Sequence, residues 1–258
     1  MFVSTSEFKM LRYSFCMTHY NNSVRIRESL DSILNQIDDS FEIVIVDSFS
    51  NDGSEKVLME YEKQGKIHLI KAKTNRGRAR QIAFENSKGK YILAHFDLDD
   101  VFNPIINDLL QLYHKRLDGM MLKINNTKNV GYWNGKFSCL IAPRTLIEEI
   151  GGWPSTQFRE DLYIWYKAQQ IRRYAWTQAE LIRYTFNEHR ERSGIVGWNS
   201  YRLGEYMDAY RLGFRPRPRR RLDRIVQLVA YLSTFPHPPK LSQDFDSEDS
   251  QYFVSLPE

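Results

Sequence analysis

An α/β domain, with a mixed, mainly parallel sheet flanked by helices, is the fold this sequence predicts, on three observations. Apolar runs rich in β-branched residues alternate with segments of helical periodicity over about 100 residues, with short connections. The runs are apolar rather than alternating, as strands covered on both faces must be. Each run ends in polar, turn-forming residues, and in a parallel sheet those ends share one edge, where ligands bind. The sharpest is Tyr91-Ile-Leu-Ala-His-Phe-Asp97-Leu-Asp99-Asp100, a short strand with three carboxylates at its C-terminal end. Carboxylates this close repel one another unless a cation or donor groups compensate. A hard cation, Mg²⁺ or Mn²⁺, suits such oxygens and keeps waters or substrate phosphates in its other positions. The competing account is a turn in which Asp99 or Asp100 caps the helix beginning near Pro104.

Taken in order, Leu11 to Met17 reads as the first strand, followed by the turn Thr18 to Ser23. Ile26, Leu30, Ile33, Leu34 and Ile37 recur at helical spacing. Phe41 to Val46 is a second strand ending at Asp47, and the turn to Ser54 offers Asp52, Gly53 and Ser54 to start the helix Glu55 to Gln64. Ile67 to Ala72 is a third strand, Asn75-Arg76-Gly77 opens a helix, and Gly89 stops it before Tyr91.

At 258 residues, with 42% hydrophobic and 26% charged side chains, the chain suits one enlarged globular domain. No stretch approaches the ~18 apolar residues of a membrane span, and the N-terminus shows no signal-peptide core. Cys16 and Cys139 have neither metal nor redox spacing, so packing roles and a reduced, cytoplasmic setting are expected. Neither a dinucleotide fingerprint nor a Walker-type phosphate loop is present.

Six pieces then occur in one order: Tyr20-Asn21, Asn21 through Gln36, Val46-Asp47 through Ser54, Asn75-x-Gly77-x-x-Arg80, Gly89-x-Tyr91-Ile92, and Asp97-x-Asp99-Asp100 with Pro104. Together they resemble the nucleotide-sugar half of family-two glycosyltransferases, which have the GT-A fold. The sequence departs from that pattern at His19, Phe49 and Gln81, where a Thr, a small residue and an Asn are usual. The resemblance implies that Thr18, Tyr20, Asn21, Asp47, Asp52, Asn75, Gly77, Arg80 and Asp97 bind a nucleotide-diphosphate sugar, with Asp47 near the base. It implies that Asp99 binds the Mn²⁺ or Mg²⁺ ion.

In the second half, Gly119 to Ile124 and Phe137 to Ala142 read as strands, and Arg144 to Ile150 as a short helix stopped by Gly151-Gly152. Trp153-Pro154 follows, then Glu160-Asp161 at the start of another helix. Two acids there are favoured by the helix dipole alone. The resemblance adds an acceptor site: Trp153 and Glu160 as substrate-binding residues and Asp161 as catalytic base. His189, in a polar loop, resembles the late His that returns to the metal and diphosphate in many such enzymes, and a lone His in such a loop is otherwise simply solvated.

From Val196 the character shifts. Trp198, Tyr201, Leu203, Tyr206, Met207 and Tyr210 suggest a helix with an aromatic side. Between Arg211 and Arg224 stand seven arginines and one acid, Asp223, before an apolar helical stripe of Leu222, Ile225, Val226, Val229 and Leu232. Cations at a helix N-terminus oppose its dipole, so an anionic partner is expected: a membrane surface met through Arg215–Arg224, a lipid-phosphate acceptor, or the protein's own acidic surface. Aromatics are not interleaved with these arginines, which argues against nucleic acid.

The expected organisation is a catalytic domain over 1–195 (nucleotide-sugar half 1–100, acceptor half 101–195), a helical basic extension over 196–235 and a mobile tail over 236–258. The expected reaction is metal-dependent, inverting transfer of a sugar from a nucleotide-diphosphate donor to an acceptor hydroxyl of a lipid-linked or cell-surface glycan, at the inner face of a membrane. The alternatives are a nucleotidyltransferase, whose Gly-rich basic signature is missing, and a non-catalytic nucleotide-sugar-binding module.

Overall fold

A computed structural model describes residues 12–127, 138–185, 194–216, 218, 223–241 and 248–255. A seven-stranded sheet has the order β3-β2-β1-β4-β7-β6-β8. Its first part is parallel: β1 (Tyr13–His19), β2 (Phe41–Asp47), β3 (His68–Lys71) and β4 (Tyr91–Ala94). The direction reverses at β7 (Ser138–Pro143), which runs antiparallel to β4 and to β6 (Met121–Asn126), and β8 (Tyr174–Ala179) is parallel to β6. The small strands β5 (Asp100–Phe102) and β9 (Ile182–Thr185) pair separately.

Helices α1 (Ile26–Leu34) and α4 (Ile106–Arg116) cover one face, where Phe15, Leu30, Ile45, Leu93 and Tyr113 form a core. On the other face α3 (Arg76–Glu85), α5 (Arg144–Glu149) and α6 (Glu160–Gln170) meet Val44, Ile92, Leu140 and Trp165. Helix α2 (Ser54–Lys63) follows β2, and α7 (Gly194–Arg211) and α8 (Asp223–Ser233) form a pair joined through Tyr206, Tyr210 and Ala230. Cys16 and Cys139 are buried free thiols, as packing roles require. Among the described residues no helix is long and apolar enough to cross a membrane.

Two expectations change. Asp99 and Asp100 do not cap α4, whose N-cap is Ile105 without a side-chain bond; Asp100 instead opens β5, because β9 supplies a pairing edge. The fourth strand ends at Ala94 rather than running to Phe96, since His95 turns the backbone to φ 64° and drops Phe96 onto Phe15. At the far end of the chain, Phe253 bridges Trp176, and Thr177 Oγ1 donates to the Val254 carbonyl (2.6 Å), covering the sheet edge at β8.

Candidate active site

The parallel register sets His19 beside Asp47, so the loops after β1 and β2 leave the sheet together. Short polar side chains then join them. Asn21 accepts from the Asn51 backbone N–H (2.9 Å), and its own N–H donates to Ser50 Oγ (2.9 Å). The Ser50 hydroxyl and backbone N–H both donate to the fully buried Asp47 carboxylate (2.5 and 3.0 Å). Asp52 accepts from the Ser23 N–H (2.8 Å) and from the Ser54 hydroxyl (2.5 Å) and N–H (3.1 Å). Burial pushes the Asp52 carboxyl up, but the bonds from Ser54 and Ser23 outweigh it and hold it below the usual value. Because the Ser54 proton points at Asp52, the His19 Nε2–H must be the donor across the 2.8 Å contact to Ser54 Oγ. Burial keeps His19 neutral, lowering its pKa against the pull of Asp47 and Asp52.

These loops, the end of β4 and the start of α3 enclose a cavity of about 880 Å³. Asp97 and Asp99 stand on its wall with Thr18, Tyr20, Asn21 and Asp52, and Lys73 and Arg76 bring cations from the segment after β3. Asn75 caps α3 by accepting from the Arg78 N–H (2.9 Å), while its amide donates to Ser155 Oγ (3.0 Å).

The segment before Asp161 is held against α3. A Cβ on Gly77 would lie 1.9 Å from the Pro154 carbonyl oxygen, so only glycine permits this approach, and the Gly77 N–H donates to the Thr156 carbonyl (2.8 Å). Gln81 Oε1 accepts from the Trp153 N–H (2.9 Å), and Trp153 Nε1–H donates to His95 Nε2 (3.0 Å). From the other side, Asp208 of α7 accepts the N–H groups of Gln157 (2.9 Å) and Phe158 (3.1 Å), and Glu205 pairs with Arg159 (2.9 Å).

Arg80, itself buried, reaches both parts of the site: Nη2 lies 3.2 Å from Asp97 and Nε 3.5 Å from Glu160. Burial, reinforced by Asp161, pushes the Glu160 carboxyl up to about 7 against the opposing pull of Arg76 and Arg80. Asp161 opens α6 beside it, with Oδ1 fixed by the Leu162 N–H (2.7 Å).

Of the residues expected to bind substrate or metal, Thr18, Tyr20, Asn21, Asp52, Asp97 and Asp99 line the cavity. Asp47, Arg80, Trp153 and Glu160 are buried behind it, and Asn75 and Gly77 hold the start of α3. Asp47 faces inward, and its neighbour Ser48 meets the cavity. His189 lies outside the described residues. The sequence reading missed Ser48, Lys73, Arg76 and Gln157 on the wall and Asp208 behind it. Cations flanking Asn75 in a strand-end loop were the available signal for Lys73 and Arg76; nothing local marks Asp208.

Among the described residues no group of three or more His, Cys, Asp or Glu side chains could hold a metal. Asp97 and Asp99 alone still fit an ion of the Mg²⁺ or Mn²⁺ kind, which binds through one or two carboxylates plus substrate phosphates.

An acid-lined cavity at the strand ends of a mixed, mainly parallel sheet defines a GT-A fold. The family model for glycosyl transferase family 2 matches residues 14–186, and the chain belongs to that family. Among curated relatives, the putative teichuronic acid biosynthesis glycosyltransferase TuaG of Bacillus subtilis (strain 168) is 37% identical over 84 residues, 31% of this chain and 33% of that one. The poly(ribitol-phosphate) β-N-acetylglucosaminyltransferase TarP of Staphylococcus aureus (strain N315) is 29% identical over 111 residues, 41% of this chain and 34% of that one. The match thus spans about a third of each relative's length. Among solved structures, S. aureus TarS 1-349 in complex with UDP-GlcNAc superposes with a TM-score of 0.61 at 16% identity, covering 86% of this chain and 72% of that one. The mannosyltransferase PcManGT from Pyrobaculum calidifontis, in complex with GDP-Man and Mn²⁺, gives 0.60 at 18% identity, covering 86% and 69%.

Proposed function

We propose that this chain transfers a sugar from a nucleotide-diphosphate donor to an acceptor hydroxyl, with inversion at the anomeric carbon. The observation that carries this reading is the Arg80 bridge, which ties a cavity carboxylate, Asp97, to the Glu160-Asp161 pair at the head of α6. Binding and proton transfer then share one rigid frame. Tyr20 is 63% exposed at the cavity and offers a ring for the base to stack on. Asp52, held ionised by Ser54 and Ser23, suits ribose or base donors. Lys73 and Arg76 face the diphosphate.

Asp97 and Asp99 would hold a Mg²⁺ or Mn²⁺ ion, whose charge would offset that building on the departing diphosphate. Asp161 Oδ2 takes the proton of the acceptor hydroxyl as its oxygen bonds to the anomeric carbon and the bond to the diphosphate breaks. Oδ1 is fixed to the Leu162 N–H, which orients Oδ2 for that task. Similarity to proteins named for teichuronic acid and poly(ribitol-phosphate) supports a cell-surface glycan or lipid-linked acceptor.

Release of nucleoside diphosphate from a panel of nucleotide sugars with Mn²⁺, with and without candidate acceptors, tests the proposal. The active donor should lose turnover in Asp99→Ala while that variant keeps its fold by circular dichroism. Near-parent activity in Asp99→Ala removes the metal assignment, and no turnover with any donor removes the reaction.

A further inference from the structure

Helix α8 turns its most apolar side outward. Val226 and Ala230 face Tyr206 and Tyr210 of α7, and Gln227 donates to the Pro216 carbonyl (2.5 Å). The opposite side carries Ile225 (66% exposed), Leu228 (57%), Val229 (47%) and Leu232 (65%), and Phe235 (74%) continues the row. At ~100° per residue these side chains form one arc about 120° wide. Scattered exposed apolar residues need no explanation, but a contiguous row on one helix does. Ile225, Val229 and Leu232, three of the stripe residues that sequence periodicity would bury, are the ones left uncovered.

Arginines flank this element at its N-terminal end. Arg224 is exposed and adjoins Ile225 and Leu228. Arg215 donates to the carbonyls of Phe214 (3.1 Å) and Pro238 (3.3 Å) and lies over the Tyr210 ring, so its charge is not neutralised by a described carboxylate. Arg211 alone of the described three pairs with an acid, Asp208 (3.0 Å). Arg217, Arg219, Arg220 and Arg221 belong to the same run of sequence and lie outside the described residues.

We propose that α8 is an interfacial anchor that docks on an anionic lipid surface, the apolar arc entering the headgroup boundary while Arg215 and Arg224 meet lipid phosphates. Charge complementarity selects this occupant. A lipid leaflet offers both an apolar layer and negative charge, whereas a second copy of this chain would bring a further run of arginines. An amphipathic helix with a basic flank lies in the interface plane. At 11 residues α8 is about 16 Å long, half the ~30 Å of a hydrocarbon core, so it lies on the bilayer and does not span it.

Co-sedimentation of the full chain with phosphatidylcholine vesicles, with and without phosphatidylserine, tests this. The unaltered chain should bind only the acidic vesicles, and binding should fall steeply with added NaCl. Leu228→Gln with Leu232→Gln should weaken partitioning by ~10-fold or more. Arg215→Gln with Arg224→Gln should weaken it by on the order of 10-fold. Thermal melts check that both variants are folded, and the salt titration of the unaltered chain tests the charge contribution without any substitution. The proposal is overturned if the unaltered chain does not bind acidic vesicles, or binds them with no salt dependence. It is also overturned if the leucine variant binds as well as the parent. Sedimentation equilibrium adds a further outcome: a dimer dissolved by the leucine changes, without lipid binding, assigns the face to a second copy instead.

Discussion

Two buried carboxylates stand behind different parts of the cavity wall, and they are treated differently. Asp47, behind the wall proposed to meet the nucleotide, receives two hydrogen bonds from Ser50 only three residues away. Glu160, behind the wall proposed to meet the acceptor, has guanidinium groups at 3.5 and 3.8 Å, supplied from α3. The nucleotide wall is built from turn chemistry: Asn21, Ser50, Asp52 and Ser54 satisfy one another across two adjacent loops. The acceptor wall is built by long-range docking and leaves Arg80 Nη1, His95 Nδ1, Thr156 Oγ1 and Trp165 Nε1 buried without a hydrogen-bond partner. Satisfied local networks make a rigid receptor. Charge held at a distance in a buried wall remains responsive to what binds there, and Asp161, the proposed base, belongs to that second kind of wall.

The sharpest break in the comparison comes from chemistry confined to one wall. Asp161→Asn should cut transfer by about 10²- to 10⁴-fold with donor affinity kept, since the base acts only in the transition state. Titrating donor binding separately from turnover checks this. Weakened donor binding with an unchanged rate would move Asp161 to the nucleotide side. Next in size is Gly77→Ala. Its methyl would meet the Pro154 carbonyl oxygen at 1.9 Å, so α3 and the segment 153–157 must part. We expect a loss of about 3 kcal/mol or more in urea unfolding. Gly53→Ala, in open space at φ 93°, should cost only about 1 kcal/mol. Equal costs would mean that the docking of the acceptor wall is no tighter than a turn.

The same division decides what could be read from the sequence. The four parallel strands and the helices between them follow from apolar runs and turn residues, and their ends shift by only a few residues. Asn21, Asp52, Asp97 and Asp99 reach the cavity because strand ends in a parallel sheet must converge there. Asp47 against Ser48 was harder, because successive side chains point oppositely and one position decides which of the two faces the ligand. His95 left its strand through a left-handed turn that no apolar pattern records. The acceptor wall depends on Gly77 against Pro154, Gln81 against Trp153 and Asp208 against Gln157. Those partners lie 51 to 77 residues apart, and pairing at such range has no local signature. Strand β8 was missed for a related reason: its cover comes from Tyr252 to Val254 at the far end of the chain.

A pH series sharpens the comparison at Glu160. Its folded carboxyl is raised from 4.5 to about 7, so the folded state holds a proton that the unfolded chain has released. Stability from this group is therefore fullest below about pH 4.5 and falls as pH rises towards 7, by on the order of 3 kcal/mol. Glu160→Gln cannot titrate, so its unfolding free energy should lack that decline. The difference between the parent and the variant should fall across the window. A parent that gains stability relative to the variant as pH rises would show that the Arg80 and Arg76 charges outweigh burial, making Glu160 an ordinary satisfied ion pair like those on the nucleotide side.

The smallest expected effect falls on the nucleotide wall, at Ser54. Its hydroxyl donates to Asp52 and accepts from His19, and it is fully buried. Ser54→Ala removes one donor from a carboxylate whose pKa is depressed and leaves the buried His19 Nε2–H unpaired. The cost should be about 1–2 kcal/mol at neutral pH, most of it the unpaired donor. The Asp52 contribution has the opposite sign to that of Glu160. It is present above the ordinary carboxylate value of 3.8 and is lost as pH falls through the lower folded value, so the parent's advantage over Ser54→Ala should shrink in acid. An NMR titration of Asp52 should show its pKa moving up in the variant, towards the ordinary value. If it does not move, the backbone N–H groups of Ser23 and Ser54 hold the carboxylate unaided, and the hydroxyl serves His19 alone.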